Sequence, residues 1–362
     1  MTIKRTAFNS KHHEAGAKMA EFAGWDMPLY YGSQIEEHNL VRRDVGMFDV
    51  SHMNIIDVEG VEARAFLRYL FANDIDKLKT SGAALYSCML NENGGVVDDL
   101  ICYRKTEQDY RVVVNAATHD KDIAWFNKRV EKFNVKLTER IDFSMLAVQG
   151  PNAREKIKKA FTREQIAATD NLKTFYGVAA NGWWIARTGY TGEDGYEIMI
   201  PQGEAVAFWD RLTNAGIRPC GLVARDSLRL EAGMSLYGSE MNEEVTPLVS
   251  NLTWTVALEP RDRDFIGRKV LEEQRRIGLK HRLVGLVLEE RGVPRSHQKV
   301  IIPDIGEGET TSGGFSPTLN AGIALARVPI NTGERCFLVI RDKQLAARVI
   351  KPPFVRNGKK NF

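Results

Sequence analysis

Two adjacent carboxylates in an otherwise apolar run are the residues here whose type and spacing first suggest chemistry. They are Asp98 and Asp99, within Asn91-Glu92-Asn93-Gly94-Gly95-Val96-Val97-Asp98-Asp99-Leu100-Ile101-Cys102-Tyr103. Polar turn residues and a Gly-Gly pair separate this run from Tyr86-Ser87-Cys88-Met89-Leu90, which predicts a hairpin whose second strand begins near Gly95. Side chains alternate across a strand, so Asp98 and Asp99 must point to opposite faces, and only one of them can line a given pocket. They cannot form a catalytic dyad. Acids on an edge strand are ordinarily solvent-side, so the pair acquires meaning only from what accompanies it.

What accompanies it excludes several chemistries. Gly192-Glu193-Asp194-Gly195 lacks the glycine-rich fingerprint, the lysine and the strand-to-helix setting of a phosphate loop. No G-x-S-x-G nucleophile elbow is present. The four cysteines, Cys88, Cys102, Cys220 and Cys336, are far apart, without a C-x-x-C or a neighbouring His pattern, and read as buried thiols. His12 and His13 lie in a polar leader and the other histidines are isolated, so no metal site is expected. What remains is a set of carboxylates, an amide, aromatics and arginines.

The whole chain sets bounds on what those residues serve. At 362 residues, 43% hydrophobic and 27% charged, it has material for two or three domains, each with its own core. No apolar run approaches a membrane span, and Met1-Thr2-Ile3-Lys4-Arg5-Thr6 is not followed by a signal-peptide core, so a cytoplasmic protein is expected. A net charge of +3, dispersed along the chain, gives no concentrated basic face for nucleic acid. Short basic clusters at Arg42-Arg43, Lys156 with Lys158-Lys159, Arg275-Arg276 and Lys280-His281-Arg282 read as solvated helix faces, one of which could dock an acidic partner.

The elements that must position the carboxylates follow from periodicity and punctuation. Gly24 to Gly32, rich in Gly, Pro and aromatics, reads as a packed loop, and Ser33-Gln34-Ile35-Glu36 as a capping box opening a helix to about Asp44. Strand Asn54 to Val58, helix Val61 to Phe71, the hairpin, strand Tyr110 to Asn115, a helix capped by Thr118 with Ile123, Phe126, Val130 and Phe133 on one stripe, and strand Val135 to Ile141 form one α+β unit over 51–139. It is inserted into something larger, and strand Met145 to Gln149, helix Ala153 to Phe161, strands Trp183 to Ala186 and Tyr196 to Ile200, and helix Glu204 to Asn214 make a second α+β unit. After a helix from Gly267 to about Ile277, short runs at Leu283 to Leu288, Val300 to Ile302, Ile323 to Val328, Phe337 to Ile340 and Ala346 to Ile350 make 246–362 a β-barrel or sandwich.

The hairpin, Gly46-Met47-Phe48-Asp49-Val50-Ser51-His52-Met53, Val113-Val114-Asn115-Ala116, Val148-Gln149-Gly150-Pro151-Asn152-Ala153, Thr188-Gly189-Tyr190-Thr191-Gly192-Glu193-Asp194-Gly195-Tyr196-Glu197, Ala224-Arg225-Asp226-Ser227-Leu228-Arg229-Leu230-Glu231-Ala232-Gly233 and the tail Lys351-Pro352-Pro353-Phe354-Val355-Arg356 recur in order across nearly the whole chain. Together they closely resemble the T-protein family of the glycine cleavage system. The resemblance implies an α+β, three-domain cloverleaf with a C-terminal β-barrel around a central folate pocket. It also implies transfer of an aminomethyl group from the lipoyl arm of the H-protein, with release of ammonia, to tetrahydrofolate.

By the same resemblance Asp98 is the catalytic carboxylate, a fixed anion that suits proton movement and a developing cation. Glu197 is the carboxylate for the pterin, whose amidine-like edge can donate two hydrogen bonds. Tyr190, Asn115 and Val113 shape the slot with Tyr86 nearby, Phe175 or Tyr176 faces the folate, and Arg225 and Arg356 match positions that pair with its glutamate tail. Read singly, Glu197 suits a strand cap equally well, Asn115 a turn amide, the tyrosines a core, and Arg225 a pairing with Asp226 or Glu231. Two other functions fit a related fold: a folate-dependent demethylase of a small methylated amine or sulfonium compound, and a non-catalytic folate-binding protein, whose Lys-Gly-Cys-Tyr type motif is missing here.

Overall fold

The structure is a computed structural model that describes residues 3–362. Contacts divide it into two compact units: Phe66 and the residues before it, with Asp76–Leu85 and Leu100–Asp226, and Leu67–Ile75 with Tyr86–Asp99 and Ser227–Phe362.

In the first unit a six-stranded sheet runs in the order Gly177–Ala180, Trp183–Ala186, Gly195–Pro201, Phe143–Gln149, Gly46–Asp49, Arg218–Pro219. The helix Gln202–Asn214 turns Ala205, Phe208, Trp209 and Leu212 inward at helical spacing, and all four are buried with Val148, Ile198 and Ile200 of the sheet. Each large side chain so buried contributes about 1.5–3 kcal/mol. A five-stranded sheet has the order Ala84–Leu90, Val96–Arg104, Asp109–Val114, Asn54–Glu59, Lys136–Glu139. Phe66 meets the rings of Phe126 and Phe133, which realises the apolar stripe predicted after Thr118. Thr118 occupies the N-cap position, but its hydroxyl donates back to the Asn115 carbonyl instead of capping the helix.

Three expectations are corrected. The stretch read as a packed loop is largely strand: Trp25–Tyr30 pairs antiparallel with Lys18–Phe22 around a turn at Ala23 and Gly24, both at positive φ. Pro28 is tolerated because a two-stranded ribbon leaves an edge on which no N–H is needed. The polar leader is a short helix, Asn9–Glu14, in which His12 is fully buried, bonded to Asp49 at 2.9 Å and to the Tyr31 hydroxyl at 2.7 Å. Helix Ala153 to Phe161 is one turn, Ala153–Lys156, tightening into a 3-10 turn at Ile157–Lys159.

In the second unit six strands close into a barrel: His281–Leu288, Ala321–Pro329, Gly306–Ser316, Lys299–Ile302, Arg335–Ile340 and Lys343–Ile350. Gly306–Ser316 went unread because its four glycines and two glutamates outweigh the strand preference of Thr310, Thr311 and Phe315. Its glycines answer to crowding, since a Cβ at Gly308 would lie 2.5 Å from the Arg327 carbonyl and one at Gly313 2.7 Å from Pro294. Arg263, almost fully buried, donates to the carbonyls of Arg68, Phe71, Ala72, Asn73 and Ala257 and so fixes the turn after the helix Ala63–Leu70.

Asp57 is the most heavily answered buried acid of the first unit: Arg111 grips both its oxygens at 2.7 and 2.8 Å, and Arg140 adds 2.7 Å. Burial alone would raise its carboxyl, but these arginines outweigh burial and hold it below the ordinary range. Its contribution to stability is therefore full above about pH 4 and lost as pH falls through the depressed value. Asp57→Asn should cost about 3–5 kcal/mol in urea unfolding at pH 7, because buried Arg111 loses its anion while Arg140 keeps only Asp142, and the deficit should shrink toward pH 3. An unchanged midpoint at pH 7 would show that the pair contributes nothing.

Candidate functional site

Alternation holds on the strand Val96–Arg104: Asp98 is fully buried and Asp99 only half-buried. The turn that presents them is wired by one side chain. Asn91 Oδ1 accepts from the N–H groups of Asn93 and Gly95, both at 3.0 Å, while Asn91 Nδ2 donates to the Glu243 carbonyl at 2.8 Å. A Cβ on Gly95 would fall 1.8 Å from that carbonyl, so only glycine fits. Asp99 accepts from the Tyr86 hydroxyl at 2.7 Å, and the Tyr86 ring stacks on Trp254 with centroids 5.4 Å apart. Trp254 is 61% exposed, and the sequence offered no sign of it because it sits in an isolated turn, Thr253–Thr255. Arg356, also in this unit, lies exposed on the small hairpin Val355–Arg356 with Lys359–Lys360.

The first unit assembles the other group. Glu197 sits on the strand Gly195–Pro201, nearly buried, and one of its oxygens accepts from the Thr188 hydroxyl at 2.7 Å. Thr188 also meets the Tyr103 hydroxyl at 3.1 Å. Burial, then the Glu197 charge, pushes that phenol well up, so it stays neutral and can only share its proton. The segment from Thr188 to Asp194 is held from below. Gln149 Nε2 donates to the Thr188 carbonyl at 3.1 Å and its Oε1 accepts from Thr191 at 2.9 Å, while Arg42 donates to the Thr191 carbonyl at 2.6 Å and to Glu193 at 2.9 Å. A Cβ on Gly189 would lie 1.9 Å from Gln149 Oε1. Arg187 clamps Asp194 through two bonds of 2.8 and 2.7 Å.

Held in this way, Tyr190 lies under the Arg225 guanidinium, 4.8 Å from ring centroid to Cζ. Arg225 Nη1 is sealed from solvent without a hydrogen-bond partner; burial pulls the group below its ordinary range, with Glu197 and Tyr190 acting against the shift. His52 was quoted in a motif but given no role from sequence, and it belongs to this cluster. Burial and the Arg225 charge push its imidazole down to about 4, against the pull of Asp49, so it is neutral at pH 7. Asn115 is half-buried at the end of the strand Asp109–Val114. Val113, 1% exposed, is paired in the sheet with Ile55 and Ile101. Phe175 is 43% exposed at positive φ, and the Tyr176 hydroxyl meets Thr80 at 3.2 Å.

The structure thus brings Glu197, Tyr190, Arg225 and His52 together in one unit, and Tyr86 with Asp99 and Trp254 in the other. A half-used carboxylate, a guanidinium with a sealed and unpaired nitrogen, and an aromatic face can together hold a flat ligand that carries both donors and an acceptor on one edge. Among the described residues, no group of three or more His, Cys, Asp or Glu could hold a metal ion, and no helix is long and apolar enough to cross a membrane.

Family models described as GCVT N-terminal domain and as Glycine cleavage T-protein C-terminal barrel domain match residues 8–260 and 281–356. An aminomethyltransferase of Pseudomonas syringae pv. tomato is 57% identical over 356 residues, which cover 98% of this chain and 99% of that one. The crystal structure of the glycine cleavage system aminomethyltransferase T from Bartonella henselae superposes with a TM-score of 0.91 at 35% identity, covering 99% of this chain and all of that one. The chain therefore belongs to the glycine cleavage T-protein family, the aminomethyltransferases of the glycine cleavage system.

Proposed function

We propose that this aminomethyltransferase takes its group from the lipoyl arm of the H-protein, releases ammonia and passes the one-carbon unit to tetrahydrofolate, giving 5,10-methylenetetrahydrofolate in the cytoplasm. The observation that carries the acceptor is the pairing of Glu197 and Arg225 across Tyr190, with hydrogen-bonding capacity left on both. A reduced pterin, when bound, supplies the nucleophilic nitrogens that receive the carbon. Glu197 would accept from its amidine-like edge, Arg225 would donate to an acceptor on the same ligand, and Tyr190 would cover a face. His52, neutral at working pH, adds no second positive charge beside Arg225. Val113 would shape the slot through the sheet, and Asn115, Tyr86 and Arg356 remain assigned to the folate.

Asp98 is the proposed catalytic group. A carboxylate fixed in a strand and removed from water stabilises a developing iminium ion more than one in solvent does, and it can take the proton that leaves when the carbon is captured. Asp99, with an oxygen engaged by Tyr86, is the anchoring member of the pair. The domain division proposed with this reading is 1–50 with 140–245 for folate, 51–139 carrying Asp98, and 246–362 for the barrel.

With aminomethyl-loaded H-protein and tetrahydrofolate, Asp98→Asn should lower turnover at least about 100-fold while its melting temperature stays near the parent's. Asp99→Asn should lose stability more than rate. Near-normal turnover by Asp98→Asn would remove the assignment. Glu197→Gln should raise KM for tetrahydrofolate about 10-fold or more with a smaller change in kcat, since it removes a charge-assisted contact made before reaction; an unchanged KM would exclude Glu197 from the folate. Saturable turnover of a free methylated amine without H-protein would replace the reading with a demethylase.

A further inference from the structure

Within the second unit, the segment Glu244–Val249, the end of the helix Arg268–Ile277 and the first barrel strands border a cleft of about 360 Å3. That volume falls in the range of small-molecule sites. Its lining carries two permanent cations, Lys280 and Arg327, and a third group able to become one, His281, against a single acid, Glu244. In two other basic clusters some cations are answered locally: Lys156 by Asp44 at 2.6 Å, Lys158 by Glu155 at 3.1 Å, Arg276 by Glu273 at 2.6 Å. Among the described residues, Lys280, His281 and Arg327 have no ion-pair partner.

Arg327 is the anchor. Its Nη2 donates to the Glu240 carbonyl at 2.6 Å, which aims the fork, while Nε is sealed without a partner, so one of five donors is used. Glu240 is itself immobilised, its oxygens bonded by Arg229 at 3.1 Å, Thr311 at 2.7 Å and Ser312 at 2.6 Å. Burial pulls the Arg327 guanidinium below its ordinary range despite the charges of Glu240 and Glu309, a cost that a bound anion would offset. Half-buried Val249 and Ile277, 65% exposed, add an apolar wall.

We propose that this cleft binds a small organic anion, a carboxylate or phosphate ester, whose charge is held by Arg327, Lys280 and His281 and whose apolar part lies on Val249 and Ile277. None of these residues is assigned to folate or to transfer, so the proposal does not rest on that reading.

The test is calorimetric titration of the full-length protein at fixed ionic strength with glutarate in one arm and glycerol 3-phosphate in the other. At least one should bind at a single saturable site, and the arm that binds identifies the head group. The double variant Lys280→Gln with His281→Gln, both exposed positions, should melt with the parent and bind at least about tenfold more weakly. Replacing the same two residues by Arg and Lys should restore binding. Absence of saturable binding in both arms, or equal binding by the Gln variant, would overturn the proposal.

Discussion

Charge taken out of water must be answered where it lies, and much of this fold is arranged to meet that requirement. In the first unit Asp57 is held by Arg111 and Arg140, which come from positions 54 and 83 residues away in the sequence. Asp49, fully buried, is raised by burial but held below the ordinary range by His12 and Thr6. Arg42 reaches 151 residues along the chain to Glu193. Breaking one side of such a pair leaves an uncompensated ion, so each fixes the relative position of segments that local propensity could not join. In the second unit Arg229 with Glu240, and Arg263 with its carbonyls, have the same effect.

That requirement also explains why the region around Glu197 stands out. Arg111 and Arg263 use most of their donors, whereas Arg225 keeps Nη1 sealed and unpaired over Tyr190. An unsatisfied buried donor costs about 1–3 kcal/mol. In the proposed reading a bound ligand repays that cost. The loop beneath is correspondingly rigid: Gln149, Arg42 and Arg187 each fix it at a different point, so Tyr190 is placed before any ligand arrives.

How much of this was legible depended on whether the cause was local. Period-2 alternation separated Asp98 from Asp99, and the Ser33 N-cap, which accepts from the Glu36 N–H, and the Phe126 and Phe133 stripe follow from helical geometry, so these features could be read directly. Resemblance supplied Glu197, Tyr190 and Arg225 by position but not the reason they converge. His12, His52 and Trp254 escaped because their settings are tertiary: a histidine in a polar stretch gives no sign that an aspartate 37 residues on will bury it. The strand Trp25–Tyr30 was hidden by Pro28 and its flanking glycines, and the strand Gly306–Ser316 by glycines that crowding requires.

The two acids of the hairpin show how alternation can divide labour between neighbours. Asp99 lies on the half-exposed face and is already bonded to Tyr86, whose ring stacks on Trp254, so its charge is spent on holding an aromatic shelf. A group so engaged loses that bond when it takes up a proton, which makes it a poor base. Asp98, one residue earlier, is removed from solvent on the opposite face, where fixed charge acts through a lower effective dielectric. Because the register of the strand is set by Asn91 and by the glycine that only fits at position 95, the two acids cannot exchange roles without a one-residue slip that would turn every side chain of the strand over. In the proposed mechanism the turn is therefore as much a part of the chemistry as the carboxylate it aims.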